Sequence, residues 1–203
     1  GLHFHVGSQI LDLGVFKTLC ERIAELQKWF TDRDMHIANL NLGGGLGVDY
    51  ANPNENPSAS FEEYFKLINE NLIVAPGQNV HFEPGRAIVA QCGHLISRVL
   101  YVKVGQKKKF AILDAGMNDL IRPALYQAHH AIENLTSTSK RRMRYDVVGP
   151  VCESSDQFGK NIILPQTSRG DLIALHTAGA YGQVMAMNYN QRDIAKAYYS
   201  DEL

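Results

Sequence analysis

Four glycines crowd into five positions of the stretch Asn41–Gly47, read Asn-Leu-Gly-Gly-Gly-Leu-Gly. Ile37, Leu40 and Leu42 lead into it, so a buried strand is expected to end in a loop whose backbone closely approaches something. Glycine N–H groups can converge on one anion, most often a phosphate. A tight turn without a ligand would leave the same pattern. Three other segments with reactive side chains sit where strands should end: His3–Ser8, Glu83–Arg86 and Cys152–Asp156.

These groups need elements to position them. Leu2–Ser8 alternates and stops at Gly7-Ser8, as a strand entering a loop would. Phe16, Leu19, Cys20, Ile23, Leu26 and Phe30 mark one apolar face of a helix. Ile37–Leu42 reads as the second strand, and Ala51–Ser58 as a surface loop rich in Pro and Asn. Ser60 with Glu63 predicts a capping box opening a helix that carries Phe61, Phe65, Ile68 and Leu72. Val80–Glu83 is the third strand, halted by Pro84-Gly85. Alternating strands and helices predict parallel β/α units. The texture changes near His94. Leu95–Val104, Phe110–Leu113, Tyr145–Val148, Asn161–Leu164 and Asp171–His176 predict the antiparallel strands of an all-β unit. The expected fold class is α/β plus all-β, with domains 1–93 and 94–203. Arg169-Gly170-Asp171 reads as a turn entering the last strand.

Bulk properties exclude several classes. A net charge of −1 argues against a nucleic-acid partner, and Lys107–Lys109 and Lys140–Arg142 read as solvated loops. No apolar run reaches membrane-spanning length, so no membrane partner is expected. Cys20, Cys92 and Cys152 are widely spaced without a zinc or redox pattern, which predicts no metal site and free thiols in a cytoplasm. The terminal Ser-Asp-Glu-Leu only partly matches an endoplasmic-reticulum retrieval signal, and no secretory signal accompanies it.

In a parallel β/α architecture, ligands bind beyond the C-terminal strand ends. Ser8, the glycines and Arg86 suit a phosphate, which Glu83 would repel. Glu83 needs a separate cation, and a protonated pyridine nitrogen meets that need. Pyridoxal phosphate (PLP) carries both groups on one ring, and a flat His5 could cover it. Taken singly, His5 also fits a core histidine, and Glu83 with Arg86 a local ion pair.

His-Val-Gly-Ser (5–8), Gly-Gly-Gly (43–45), Glu-Pro-Gly-Arg (83–86), Cys-Glu-Ser-Ser-Asp (152–156) and Gly-Ala-Tyr-Gly (179–182) together resemble the alanine-racemase-fold, PLP-dependent basic amino-acid decarboxylases. The likeness runs the whole length, and Cys-Glu-Ser points to the branch acting on meso-diaminopimelate. The resemblance implies the last β/α units of a PLP-binding TIM-type barrel, followed by a C-terminal antiparallel β domain. It implies that His5 covers the cofactor ring and that Ser8, Gly43, Gly44, Gly45, Gly85 and Arg86 surround its phosphate end. Glu83 then pairs with the pyridine nitrogen, and Tyr181 contacts the cofactor. Arg122 and Tyr126, with Arg86, bind the substrate's carboxylate groups, and Glu153 meets its distal ammonium. Cys152 is the implied proton donor, and its bland alternative is a small buried residue. Arg122 and Tyr126 are four apart and share a face if Ile121–Gln127 is helical.

The implied partners are an amino-acid substrate and a second copy in a homodimer with a shared site. The implied reaction yields L-lysine. Related reactions on ornithine, arginine or a carboxylated polyamine remain alternatives, as does a non-catalytic regulatory role. The family's cofactor-linking lysine belongs upstream of His-Val-Gly-Ser, and no lysine here takes its position. The 203 residues alone are therefore expected to be an inactive C-terminal part with an open sheet edge.

Overall fold

A computed structural model describes residues 1–202; Leu203, which closes the Ser-Asp-Glu-Leu tail, lies outside the described residues. The chain divides into two compact units. The first holds Gly1–Asp49 and Asn54–Val89, the second Tyr50–Pro53 and the residues from Ala90 onward.

In the first unit, β1 (Leu2–His3), β2 (Asn39–Asn41) and β3 (Asn79–His81) form a parallel sheet in that order. His3 stands opposite Asn41, and Asn41 opposite His81. Helices α1 (Gly14–Thr31) and α2 (Phe61–Asn71) make the connections. The apolar stripe of α1 buries Phe16, Leu19, Cys20 and Ile23. Phe16 meets Tyr64 of α2 edge-on, with ring centroids 4.8 Å apart. Burial, followed by the nearby Cys20, pushes the Tyr64 hydroxyl up to about 12.

Local readings needed correction here. The Ser60–Glu63 capping box does not form: Ser60 makes no side-chain cap bond, and of the first-turn N–H groups that of Phe61 bonds to the Ala59 carbonyl at 2.8 Å. The buried face of α2 centres on Tyr64 and Ile68, leaving Phe65 exposed. The strands are shorter than alternation predicts. Pro84 is followed by a short helix, α3 (Gly85–Val89), where the sequence indicated only a stop.

The second unit contains β4 (Leu95–Val104), β5 (Lys109–Leu113), α4 (Arg122–Tyr126), β6 (Ile132–Asn134), β7 (Arg142–Val148), β8 (Gln157–Pro165) and β9 (Leu172–Leu175). Its six strands are ordered β6-β9-β4-β5-β7-β8. The expected purely antiparallel sheet is wrong at one place, since β5 and β7 run parallel with Phe110 opposite Asp146. Residues 114–141 between them are long enough for the crossover that a parallel pair needs. Val99, Leu113, Tyr145, Val147, Ile173 and Leu175 form the core on this sheet. The Arg169-Gly170-Asp171 turn is confirmed: Gly170 has φ +93°, and the Asp171 carboxylate accepts the Ser168 N–H at 2.9 Å. No helix among the described residues is long and apolar enough to cross a membrane.

Asp146 ties the β5 turn to β7 and β8. Its buried carboxylate accepts Lys108 Nζ at 2.7 Å and the Asn161 N–H at 2.8 Å. The lysine run is thus partly engaged rather than wholly solvated. Burial raises the affinity of this carboxyl for a proton, but the Lys108 and Asn161 bonds and the charges of Lys108 and Lys160 outweigh it, so its pKa falls below the usual range. A depressed carboxylate contributes stability above the unfolded-state pKa and loses it as pH falls through the folded one. Asp146→Asn is expected to lower the urea midpoint at neutral pH, with the difference from the parent vanishing on acidification through the carboxylate range.

Candidate active site

Parallel register places the loops after β1, β2 and β3 at one edge of the first unit's sheet. The ladder persists one step past the strands: Phe4 N–H donates to the Asn41 carbonyl at 2.9 Å, Leu42 N–H to His81 at 2.9 Å and Glu83 N–H to Gly43 at 2.8 Å. Gly43 has φ +69°, and a Cβ there would collide with the Phe4 carbonyl oxygen. A Cβ at buried Gly44 would collide with the Glu83 carbonyl oxygen. The glycines are therefore required by the close approach of neighbouring loops as well as suited to a ligand. The Gly43 N–H is taken by the Asn41 side chain at 2.8 Å. The Gly44 and Gly45 N–H groups have no protein acceptor among the described residues.

Arg86, on α3, donates from its guanidinium to the Ser8 hydroxyl at 2.8 Å, so a cation and a hydroxyl meet beside this edge. Glu83 is exposed and braced: Asn41 Nδ2 donates to one carboxylate oxygen at 2.8 Å, and His3 lies 3.6 Å from the other. His5 is exposed on the same loop as Ser8. Two backbone N–H groups without protein acceptors, a hydroxyl and a guanidinium fit a phosphate, while the braced carboxylate fits a cationic ring nitrogen. Asn41, which holds both the Glu83 carboxylate and the Gly43 N–H, was not singled out in the sequence. Its only local signal is its place two residues before the glycines, where an Asx turn forms.

The second unit holds the remaining candidates. Arg122 opens α4, which Gln127 ends in a left-handed conformation, so the predicted helical spacing of Arg122 and Tyr126 is present. Arg122 is only 6% exposed, whereas Tyr126 is 63% exposed. The guanidinium lies 4.6 Å from the Tyr50 ring centroid and 6.0 Å from that of Tyr181. Tyr181 itself has φ +68°, a backbone conformation uncommon for an aromatic residue and typical of sites held for function.

Cys152 and Glu153 sit exposed in a turn that Asp156 secures. The Asp156 carboxylate accepts the Val151 N–H at 2.6 Å and the Met117 N–H at 2.7 Å. It thereby joins the Cys152–Glu153 turn to the loop that leads into α4. Burial is the main cause raising the Asp156 pKa, with Asp119 adding to it, while the two N–H bonds and Arg192 oppose the rise. Tyr189 donates its hydroxyl to the Glu153 carboxylate at 2.5 Å, and that bond with its charge pushes the Tyr189 pKa up. Tyr189 and Tyr50 were not singled out in the sequence; neither lies in a local motif with the group it touches. Cys20, Cys92 and Cys152 form no disulfide, and burial raises the Cys20 pKa. No metal-ligating cluster occurs among the described residues.

Comparison with known proteins decides the family. The family described as "Pyridoxal-dependent decarboxylase, C-terminal sheet domain" matches residues 9–179. The chain belongs to the pyridoxal-dependent decarboxylases. The chain is 59% identical over 203 residues to the diaminopimelate decarboxylase of Bacteroides thetaiotaomicron, covering all of itself and 52% of that protein. The crystal structure of Helicobacter pylori diaminopimelate decarboxylase complexed with L-lysine superposes with a TM-score of 0.82 at 42% identity, over 95% of this chain and 47% of that one. The Vibrio vulnificus lysine/ornithine decarboxylase complexed with putrescine gives a TM-score of 0.88 at 25% identity, over 100% of this chain and 55% of that one. The chain spans about half the length of the curated relatives it matches.

Asp156→Asn keeps one carbonyl acceptor and loses the other, leaving a backbone N–H without its partner. The substitution is expected to cost about 1–3 kcal/mol. Amide hydrogen exchange should accelerate at Met117 or Val151 and remain unchanged in β4 and β9.

Proposed function

We propose that this chain supplies part of a PLP-dependent decarboxylase that converts meso-diaminopimelate to L-lysine. The observation carrying this reading is the buried Arg122 held over Tyr50, in the same unit as an exposed Glu153. One cation and one carboxylate suit the two charges at the unreactive end of diaminopimelate. Ornithine, which lacks the distal carboxylate, has no use for the arginine. The 59% identity to a diaminopimelate decarboxylase supports the same substrate.

In this reading β1, β2 and β3 are strands of a β/α barrel. When bound, PLP draws off the electron pair left as CO₂ departs. The residues of the chain do the rest. Ser8, Gly43, Gly44, Gly45, Gly85 and Arg86 surround the phosphate, and His5 covers a ring face. Glu83 favours a proton on the ring nitrogen by placing a negative charge beside it. Tyr181 contacts the cofactor. Arg122, Tyr126 and Arg86 orient the substrate through its carboxylates, and Glu153 through its distal ammonium. Once the carboxylate has left as CO₂, the Cys152 thiol would supply the proton that takes its place on the α-carbon. The exposure of Cys152 and Glu153 supports their use in a site shared by two copies, and three cysteines outside any disulfide support a reducing cytoplasm.

Full-length protein loaded with PLP is expected to release CO₂ and L-lysine from meso-diaminopimelate. Arg122→Ala removes a charge-assisted pair worth about 1.5–3 kcal/mol, so kcat/KM for meso-diaminopimelate should fall roughly tenfold to a hundredfold. Combining it with Glu153→Asp should deepen that loss more for diaminopimelate than for ornithine. Equal losses on both substrates would overturn the assignment.

A further inference from the structure

His130 is the histidine against which Arg122 is set. It is 1% exposed and lies just before β6. Its Nδ1 is 2.8 Å from the His176 carbonyl oxygen, and its Nε2 is 2.8 Å from Arg122 NH1. A carbonyl oxygen can only accept, so Nδ1 carries the hydrogen. A guanidinium can only donate, so Nε2 presents its lone pair. Both contacts are satisfied by one neutral tautomer and by no other protonation state. A doubly protonated ring would turn an N–H and a positive charge onto the buried arginine.

The backbone around this histidine is equally fixed. The Ala131 N–H donates to the Tyr50 carbonyl at 3.1 Å, and the His176 N–H donates to the Ala131 carbonyl at 2.9 Å. The Tyr50 ring stands edge-on to His130, with centroids 5.2 Å apart, and also lies under the Arg122 guanidinium. His176 is anchored in turn by Glu133, whose carboxylate is 3.0 Å from Nε2, and its ring meets His94 edge-on. One imidazole thus connects the segment after β9 to the first residue of α4.

We infer that His130 is a positioning residue that sets the plane of the Arg122 guanidinium and so determines preference for ligands with a second, unreactive carboxylate. The inference rests on the role proposed for Arg122. A long arginine side chain has several rotamers, and a neutral acceptor at a fixed place selects among them without adding a competing charge. A carboxylate in place of His130 would neutralise the arginine and compete with the substrate for it.

The test uses full-length, PLP-loaded protein and competitive inhibition by two amines. L-Lysine retains the unreactive carboxylate and cadaverine lacks it. His130→Leu should raise the KM for meso-diaminopimelate and the KI for L-lysine about tenfold or more, while the KI for cadaverine stays within about twofold. His130→Gln, whose amide oxygen can accept from Arg122, should recover most of the L-lysine affinity. Arg122→Ala should show the same selective loss as His130→Leu. An equal loss for lysine and cadaverine, or no loss for either, would overturn the inference. If Arg122→Ala weakens lysine selectively and His130→Leu does not, only the role of His130 falls. If Arg122→Ala leaves lysine binding unchanged, the proposed carboxylate site falls and the inference with it.

Discussion

Parallel strands share a direction, so the chain leaves β1, β2 and β3 at the same edge of the sheet. The in-register row His3, Asn41, His81 makes that edge level. Every candidate site residue of the first unit follows within five residues of it. The loops must then cross one another closely, and the glycine cluster is where they do. Side chains at Gly43 or Gly44 would strike the Phe4 or Glu83 carbonyl. The Gly44 and Gly45 N–H groups, without protein acceptors among the described residues, sit in that same crossing. Close packing of loops and suitability for an anion therefore make compatible demands on one stretch of backbone.

In the second unit the governing constraint is the burial of charge. Arg122 and Asp156 are 6% and 4% exposed, and neither can be left without partners in a sheet-bound core. Arg122 is met by an imidazole and an aromatic face, Asp156 by two backbone N–H groups. Each solution draws in a distant segment. Asp156 fixes the Cys152–Glu153 turn to the loop entering α4, and Arg122 fixes α4 to the residues around His130. The exposed groups Cys152, Glu153 and Tyr126 are thereby presented from a frame whose rigidity comes from buried polar contacts.

Much of this was readable in one dimension. β4 spans Leu95–Val104 as its alternation predicts, and α1 carries its stripe at Phe16, Leu19, Cys20 and Ile23. The glycine cluster and the Arg122–Tyr126 spacing are local patterns found in the loop and helix expected for them, whereas Glu83 lies just beyond β3 and Arg86 falls on α3, where only a stop was expected. What escaped was non-local or very short. Asn41 reaches Glu83 across 42 positions, and no periodicity records that pairing. β6 has three residues, too few to establish alternation. The parallel pairing of β5 with β7 depends on a crossover whose direction its strands do not encode. The capping box failed because Ser60 makes no side-chain bond to the first turn of α2, and the motif alone does not fix that rotamer.

The identity of the partner that braces Glu83 bears on its chemistry. An arginine or lysine in that position would also hold the carboxylate, but it would cancel the charge that Glu83 offers to a cationic ligand. Asn41 holds one oxygen with a neutral N–H and leaves the negative charge intact. His3, at 3.6 Å from the other oxygen, contributes a charge only when protonated. The cation of this edge, Arg86, is instead turned to Ser8. Neutral bracing at the carboxylate and cationic bracing at the hydroxyl separate the two electrostatic tasks along one sheet edge. For a ligand with a phosphate at one end and a basic nitrogen at the other, this arrangement would favour one orientation, because reversing it would set phosphate against Glu83 and the basic nitrogen against Arg86.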